Sequence, residues 1–186
     1  VNFTYNYAEA PMFTPDSSET LIKIKSIREE LQQLFSDMKV PSIVPFEIHS
    51  ETSVTAQHID HTLLKPTATE QQIRKLTLEA ITYGFASVCV NGRWVSTVAS
   101  MLTDTKIKTC AVVGFPLGAM SSTVKAFETQ TAIQDGATEI DMVLSIGDVK
   151  AHEWRTVFQD IRAVVAATSG LALVKVILET SCLTDS

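Results

Sequence analysis

Two carboxylates that lie two residues apart are the first candidates for chemistry in this chain. Glu139 and Asp141 interrupt the otherwise apolar run Gly-Ala-Thr-Glu-Ile-Asp-Met-Val, and in a strand their side chains point the same way. A buried charge is costly unless it is paired, so we expect both to meet a lysine or water. The pair predicts either a proton shuttle, because a like-charge neighbour raises a carboxyl pKa, or a buried ion pair without chemistry.

A lysine interrupts the next apolar run. Lys175 lies within Leu-Ala-Leu-Val-Lys-Val-Ile-Leu, where something must neutralise or use its charge. A desolvated lysine can lose its proton near neutral pH and attack a carbonyl to form a Schiff base. Spacing alone predicts Lys175 as this nucleophile. The alternative is that Lys175 only pairs with Glu139 or Asp141 on the neighbouring strand and tunes the site electrostatically.

Weaker candidates lie on earlier segments. Asp60 and Thr62 share one face of a predicted strand, where their side chains can make structural hydrogen bonds. Cys89 lies on a buried strand, where a lone cysteine is more often inert packing. His58 and His61 flank Asp60, but no third ligand follows at metal spacing, so no metal site is expected.

These residues sit on a pattern of short apolar runs that alternate with longer amphipathic ones from residue 58 onward, which predicts alternating strands and helices. A helix is predicted to begin after Thr69 and to end before Gly84. No Gly-x-Gly-x-x-Gly and no phosphate-binding Gly-Lys-Ser/Thr segment occurs, which favours a (β/α)8 barrel over a nucleotide-binding sheet. The predicted strands are 58–63, 87–90, 109–113, 139–144 and 172–178.

Composition narrows the range of partners. The formal charge of -6 gives no reason to bind nucleic acid or an anionic membrane, and a small-molecule substrate is the better expectation. No run of about 20 apolar residues and no signal peptide is present. The three cysteines, Cys89, Cys110 and Cys182, are too scattered for a disulfide framework, which fits a reducing, cytoplasmic location.

Residues 1–57 differ in composition and are interpreted as an N-terminal extension with one amphipathic helix. Asp16 and Glu19 resemble a capping box. The apolar side chains at helical spacing are Leu21, Ile24, Ile27, Leu31 and Leu34. This stripe is expected to pack on the adjoining domain, with an oligomer contact as the alternative.

Five segments resemble, in order, the bacterial-type deoxyribose-phosphate aldolases. They are Ile-Asp-His-Thr-Leu-Leu-Lys-Pro from residue 59, Ser-Val-Cys-Val from 87, Val-Val-Gly-Phe-Pro-Leu-Gly from 112, Glu-Ile-Asp-Met-Val from 139 and Lys-Val-Ile-Leu-Glu-Thr from 175. The resemblance implies an α/β fold, namely an incomplete (β/α)8 TIM barrel of five βα units over residues 58–186, after the helical extension. It also implies reversible cleavage of 2-deoxyribose 5-phosphate to glyceraldehyde 3-phosphate and acetaldehyde, without cofactor or metal.

The resemblance assigns roles residue by residue. Asp141 matches the carboxylate that shuttles protons with a bound water, whereas Lys175 matches a pocket lysine rather than the nucleophile. Asp60, Thr62 and Cys89 match pocket positions, and Glu139 is placed beside them. The family's Schiff-base lysine belongs to a Phe-Ile-Lys-Thr-Ser-Thr-Gly type segment on the following strand, which this sequence lacks.

The length of the matching part agrees with this gap. Residues 58–186 number 129, whereas a complete barrel takes about 200 to 250 residues. We therefore expect a chain truncated after its fifth strand and inactive alone. Two alternatives stay open: a non-catalytic fragment that pairs with its own copy or with a complementary barrel fragment, and another Schiff-base barrel that uses Lys175 directly.

Overall fold

The computed structural model describes residues 55–184, together with residues 22, 25–27, 29–30 and 32–33. Contacts divide the chain into two units, Val1–His49 and Ser50–Ser186. In the first unit the described residues are helical, and Ile27 of the predicted stripe is exposed. The rest of the stripe and its capping box lie outside the described residues, so the extension and its boundary at residue 57 stay predictions.

The second unit is built on a parallel sheet whose five described strands follow one another in chain order. The strands are β1 (Asp60–Leu63), β2 (Ser87–Val90), β3 (Lys108–Val113), β4 (Glu139–Val143) and β5 (Leu173–Ile177). All five predicted strands are therefore confirmed, with ends that shift by one or two residues. His58 is an example, because it closes a short 3-10 turn at Thr55–His58 instead of opening β1. Sequential parallel order is the arrangement of successive strands in a (β/α)8 barrel, which confirms the predicted fold class.

Helices connect successive strands. They are α1 (Glu70–Tyr83), α2 (Val95–Leu102), α3 (Ser122–Gln134), α4 (Ile146–Lys150) and α5 (Trp154–Ala167). The predicted start of α1 is confirmed, since the Thr69 hydroxyl accepts from the Gln72 amide and the Gln72 side chain accepts from the Thr69 amide. Gly84 ends α1 in the left-handed conformation, at a φ of 67° that glycine adopts without strain.

The two faces of the sheet differ in character. The helix-covered face buries aliphatic side chains such as Val88, Val90, Ile140 and Met142 against α1, α2 and α5. Alternation along each strand sends the intervening residues to the opposite, inner face. That face carries a small buried cluster of Cys89, Cys110 and Val112, together with the charged side chains described below. The core thus fixes the strands from one side and leaves the other side for polar groups.

A completely buried ion pair ties two helices to the end of β4. Lys125 on α3 is fully buried, and its Nζ lies 2.6 Å from Oδ2 of Asp160 on α5. The same Nζ donates to the carbonyl oxygen of Val143 at 2.9 Å, and the Ser122 hydroxyl donates to Oδ1 of Asp160 at 2.7 Å. Every one of these polar groups has a partner, which is the condition for burying charge. The pair therefore sets the position of the carboxyl end of β4.

The loop after β3 passes close to the loop after β4. Gly118 has a φ of 64°, and a Cβ atom there would collide with the carbonyl oxygen of Leu144. The amide of Gly114 donates to Glu128 at 2.8 Å, which holds the start of the same loop. The second glycine of Val-Gly-Phe-Pro-Leu-Gly is thus required by close backbone approach. None of the described helices is both long and apolar enough to cross a membrane.

Candidate functional site

The strand register brings most of the predicted site residues onto the inner face of the sheet. Asp60 is paired with Ser87 between β1 and β2, and Asp141 is paired with Lys175 between β4 and β5. Glu139 lies two residues before Asp141 and therefore shares its face. The acidic pair on β4 thus lies beside the lysine of the next strand, as its spacing predicted.

Lys175 is the centre of a four-residue charge cluster. Its Nζ lies 2.7 Å from Oδ2 of Asp60, 3.0 Å from Oε2 of Glu139 and 3.3 Å from Oδ1 of Asp141. Asp60 reaches it from the other end of the five-stranded sheet, which shows how strongly the sheet curves around this face. One ammonium therefore bridges three carboxylates.

The cluster fixes the charge of Lys175. Burial alone would lower the pKa of Lys175, but its hydrogen bond to Asp60 and its acidic neighbours outweigh burial and raise that pKa above the ordinary range. A Schiff-base nucleophile must be a neutral amine. The geometry therefore counts against Lys175 as the nucleophile and favours the ion-pairing alternative.

Asp60 is held as a carboxylate by two donors. Its Oδ1 accepts from the Ser87 hydroxyl at 2.6 Å, and its Oδ2 accepts from Lys175. Burial raises the pKa of Asp60. The hydrogen bonds from Lys175 and Ser87 together lower it by more, so the pKa of Asp60 lies below its ordinary value. Ser87 was not among the predicted site residues, because a serine at the start of a strand gives no distinctive signal.

Asp141 has two oxygens in different surroundings. Oδ1 is buried and lies within ion-pair distance of Lys175, yet it receives no hydrogen bond from any described residue. Oδ2 faces the Cys89 thiol at 3.9 Å. A buried carboxylate oxygen without a donor can accept a hydrogen bond from water or from a substrate hydroxyl. Oδ1 of Asp141 is thus the buried side-chain oxygen among the described residues that is left without a hydrogen-bond donor.

Comparison with known proteins assigns the chain to a family. A family model described as DeoC/LacD family aldolase matches residues 54–185, which is more than half of the chain. The chain belongs to the DeoC/LacD aldolase family. This part of the chain contains every strand and helix labelled above, so the family match and the described fold concern the same region.

Curated relatives of this DeoC/LacD chain are longer than the chain itself. It is 58% identical over 131 residues to the deoxyribose-phosphate aldolase of Halalkalibacterium halodurans, covering 70% of this chain and 58% of that protein. It is 60% identical over 129 residues to the deoxyribose-phosphate aldolase of Streptococcus mutans, covering 69% of this chain and 58% of that protein. The chain therefore spans less than two thirds of the length of these relatives.

Solved aldolase structures share the fold of this DeoC/LacD chain. A Coccidioides immitis protein assigned as a deoxyribose-phosphate aldolase superposes with a TM-score of 0.73 at 41% identity, covering 84% of this chain and 63% of that one. The deoxyribose phosphate aldolase of Aeropyrum pernix, described as a tetramer, gives a TM-score of 0.66 at 33% identity, covering 85% and 62%. Both likenesses agree with a partial barrel.

The remaining predicted residues of the DeoC/LacD site lie at its margin. The Thr62 hydroxyl donates to the carbonyl oxygen of Asp60 at 2.8 Å, so it makes a local hydrogen bond. Cys89 is buried and pairs in register with Cys110. The hydrogen bond with Cys89, followed by burial, raises the pKa of the Cys110 thiol far above its usual range. Cys110 was not predicted as a site residue, because it lies 21 positions after Cys89 and only the strand register brings the two together.

The two histidines near Asp60, His58 and His61, lie outside the charge cluster. His61 points to the opposite face of β1, where its Nε2 lies 2.8 Å from Glu79 of α1 and its ring lies 5.0 Å from that of Phe85. His58 lies in the 3-10 turn before β1. Hydrogen bonding to His61 lowers the pKa of Glu79. His61 therefore ties the first strand to the first helix of the DeoC/LacD fold, away from the charge cluster.

The charge cluster lies nearer the middle of the strands than the usual position of an active site in (β/α)8 folds. Active sites of (β/α)8 enzymes lie at the carboxyl ends of the strands. Asp141 and Lys175 are instead central in β4 and β5, and Asp60 is the first residue of β1. The charge cluster therefore lies on the inner face before the carboxyl ends of β4 and β5, where its members pair with one another.

Removing the ammonium should destabilise this part of the DeoC/LacD chain. We expect Lys175→Met to lower the free energy of unfolding by about 1–2 kcal/mol at pH 7, since three carboxylates would remain close together without their shared cation. The Lys175 side chain is 34% exposed, so solvent screening keeps the loss below that of a fully buried pair.

The loss should depend on pH in a defined direction. The raised pKa of Lys175 gives a contribution that is complete below about pH 10 and declines at higher pH, and the lowered pKa of Asp60 gives one that disappears as the pH falls below about 4. Urea unfolding followed by circular dichroism should therefore show the largest difference from wild type between about pH 5 and 9. Lys108→Met, at the exposed start of β3, is the matched control, and an equal loss there would contradict the cluster's role.

Proposed function

We propose that this chain is the amino-terminal part of a deoxyribose-phosphate aldolase, a class I enzyme that reversibly cleaves 2-deoxy-D-ribose 5-phosphate to D-glyceraldehyde 3-phosphate and acetaldehyde. The support is membership of the DeoC/LacD family together with relatives of that activity. The observation that carries the proposal is the cluster in which Lys175 stays protonated between Asp60, Glu139 and Asp141. Such a cluster serves a proton-transfer reaction on a polar substrate better than it serves packing.

Asp141 is the proposed catalytic residue of the chain. A Schiff-base aldolase must add and remove protons at the substrate's hydroxyl and at the carbon beside the imine. The Oδ1 atom of Asp141, without a hydrogen bond among the described residues, can accept such a proton directly or through water. Lys175 supports this carboxylate electrostatically, since its ammonium lies 3.3 Å away.

The other predicted residues have pocket roles in this proposal. Asp60 holds Lys175 from β1, Glu139 holds it from β4, and Cys89 lies against the second oxygen of Asp141. Thr62 lies on the same face, because it is the register partner of Cys89, which in turn pairs with Cys110. The nucleophilic lysine is proposed to belong to the Phe-Ile-Lys-Thr-Ser-Thr-Gly type segment that this sequence lacks, so this chain alone is proposed to form no Schiff base.

Borohydride trapping tests where the nucleophile lies. Incubation of this chain with 2-deoxyribose 5-phosphate and sodium borohydride should leave its intact mass unchanged, because the paired Lys175 ammonium cannot attack the aldehyde. A longer protein that continues into the lysine segment should gain one reduced adduct, on the lysine of that segment.

One outcome of the same borohydride experiment would contradict the proposal. A stable adduct on Lys175 in peptide mass spectra would favour the alternative barrel that uses Lys175 directly. Lys175→Arg is the matched control in the longer protein, since arginine keeps the charge but cannot form the imine. Loss of the adduct in that variant would also contradict the assignment to the downstream lysine.

A second candidate is a non-catalytic assembly fragment. The outermost strands of the described sheet, β1 and β5, each have one strand neighbour, and Leu173 and Leu178 at the β5 side are exposed. Unpaired parallel edges favour pairing with another chain, either a second copy or a complementary barrel fragment. A discrete dimer in sedimentation velocity would support this candidate, whereas a monodisperse monomer would count against it.

The surroundings of the chain are proposed from its chemistry. Cys89, Cys110 and Cys182 form no disulfide, which fits a reducing cytoplasm. A role in deoxyribonucleotide catabolism is proposed from the deoxysugar phosphate substrate. The proposed substrate is a small phosphorylated sugar, with no nucleic acid or membrane partner. A homo-oligomer is proposed for the whole enzyme because the Aeropyrum pernix structure is described as tetrameric.

A further inference from the structure

Two buried thiols lie beside the charge cluster and have no part in the proposed reaction beyond their contact with Asp141. Cys89 and Cys110 are register partners on β2 and β3, and Asp141 lies on the next strand. Their sulfur atoms and one carboxylate oxygen all lie within 4.8 Å of one another. Three consecutive strands therefore present two sulfurs and one oxygen to a single point on the inner face.

The spacing is close to that of a metal site. Zinc binds sulfur at about 2.3 Å and carboxylate oxygen at about 2.0–2.2 Å in tetrahedral geometry, which places neighbouring ligand atoms about 3.5–3.8 Å apart. Side-chain movements of about 1 Å would bring the two sulfur atoms and the carboxylate oxygen to the separations that a tetrahedral zinc site requires. Three protein ligands with a fourth position open to water or substrate is the usual arrangement of a reactive zinc site.

Asp141 can serve the cation without leaving Lys175. Its Oδ1 is 3.3 Å from the Lys175 ammonium, whereas its Oδ2 is the oxygen that faces the Cys89 sulfur at 3.9 Å. The two partners therefore approach opposite oxygens of one carboxylate. A cation can therefore approach Oδ2 while Oδ1 stays beside the Lys175 ammonium.

The local charge favours a divalent cation. Asp60, Glu139 and Asp141 surround one ammonium, which leaves two formal negative charges on a partly buried face. That excess attracts a divalent cation, whose own charge is neutralised by the two thiolates formed on binding, and thiol ligands select zinc or similar thiophilic ions over magnesium or calcium. Charge and ligand type thus point to the same class of ion.

We propose that Cys89, Cys110 and Asp141 bind one thiophilic divalent cation such as Zn²⁺. Two sulfur–metal bonds form as two S–H bonds break, and both protons pass to solvent. The bound cation occupies the carboxylate proposed to transfer protons, so it would block that transfer. The binding itself does not depend on the aldolase proposal, and its test uses no aldolase activity.

Cobalt titration tests the site on this chain. The reduced protein, titrated with Co²⁺ without oxygen, should develop a thiolate-to-cobalt absorption band that saturates at one equivalent and disappears when Zn²⁺ is added. Cys89→Ser and Cys110→Ser should lose the band, and Asp141→Asn should weaken Co²⁺ affinity by at least about tenfold. Cys182→Ser is the matched control, because Cys182 is exposed and lies outside the cluster, and it should keep the band.

A second measurement guards against variants that fail to fold. Zn²⁺ should raise the Tm of the wild-type chain and of Cys182→Ser by similar amounts, and that of Asp141→Asn, which retains both thiols, by less at the same Zn²⁺ concentration. Absence of a band in the folded wild type, its loss in Cys182→Ser, or its survival in folded Cys110→Ser would overturn the proposal. An equal Co²⁺ affinity in the urea-unfolded chain would also overturn it, since the site requires the strand register.

Discussion

Asp160→Asn is expected to lower the free energy of unfolding by about 3 kcal/mol. The reason is that Lys125 is fully buried and its ammonium lies 2.6 Å from Asp160. An amide oxygen can still accept a hydrogen bond, but it leaves the buried positive charge without a counter-charge. Urea unfolding at pH 7, followed by tryptophan fluorescence and circular dichroism, measures the loss.

A double variant separates charge burial from packing. Lys125→Met combined with Asp160→Asn removes both charges and should be more stable than Asp160→Asn alone, because no ammonium is then stranded in the core. Additive losses in this cycle would contradict the stranded-charge explanation. Glu70→Gln is the surface control: its pair with Arg74 is more than half exposed, so we expect a change below about 0.5 kcal/mol.

The strands could be predicted because their signals are local. Apolar runs such as Ser-Val-Cys-Val and Lys-Thr-Cys-Ala-Val-Val are flanked by glycine or capping residues, and they became β2 and β3 within a residue of the predicted bounds. The spacing of Glu139 and Asp141 likewise predicted a shared face, since alternation in a strand depends on the backbone alone. Local periodicity therefore specified the sheet and half of its charge cluster.

Partners that lie far apart in the sequence could not be predicted from such local signals. Lys125 occupies an ordinary-looking polar stretch, Ser-Thr-Val-Lys-Ala-Phe-Glu, and only the packing of α3 against α5 reveals that Asp160 neutralises it. Asp60 meets Lys175 across 115 residues because the sheet curves. The same curvature decides that Lys175 stays protonated, although its apolar sequence suggested a desolvated nucleophile. Tertiary contacts thus determine the charge states on which the chemistry depends.

The proposed role of Asp141 predicts a large loss of catalysis in a longer protein that includes the proposed downstream lysine segment. Asp141→Asn should lower kcat for cleavage of 2-deoxyribose 5-phosphate by about 10²–10⁴-fold, because positioned acid–base groups contribute about that much. KM should change little, since Asp60, Glu139 and Lys175 remain in place to hold the pocket. Initial-rate kinetics with a coupled assay for glyceraldehyde 3-phosphate measure both constants.

The mechanism also predicts which step survives in Asp141→Asn. A proton-transfer defect leaves imine formation possible, so borohydride should still trap an adduct on the downstream lysine of the inactive variant. Asp135→Asn, at the exposed end of α3, is the matched carboxylate control and should retain wild-type kcat. If Asp141→Asn kept more than about one tenth of wild-type kcat, general acid–base catalysis at this carboxylate would be excluded. The buried Oδ1 of Asp141 would then serve only to hold Lys175 in its cluster.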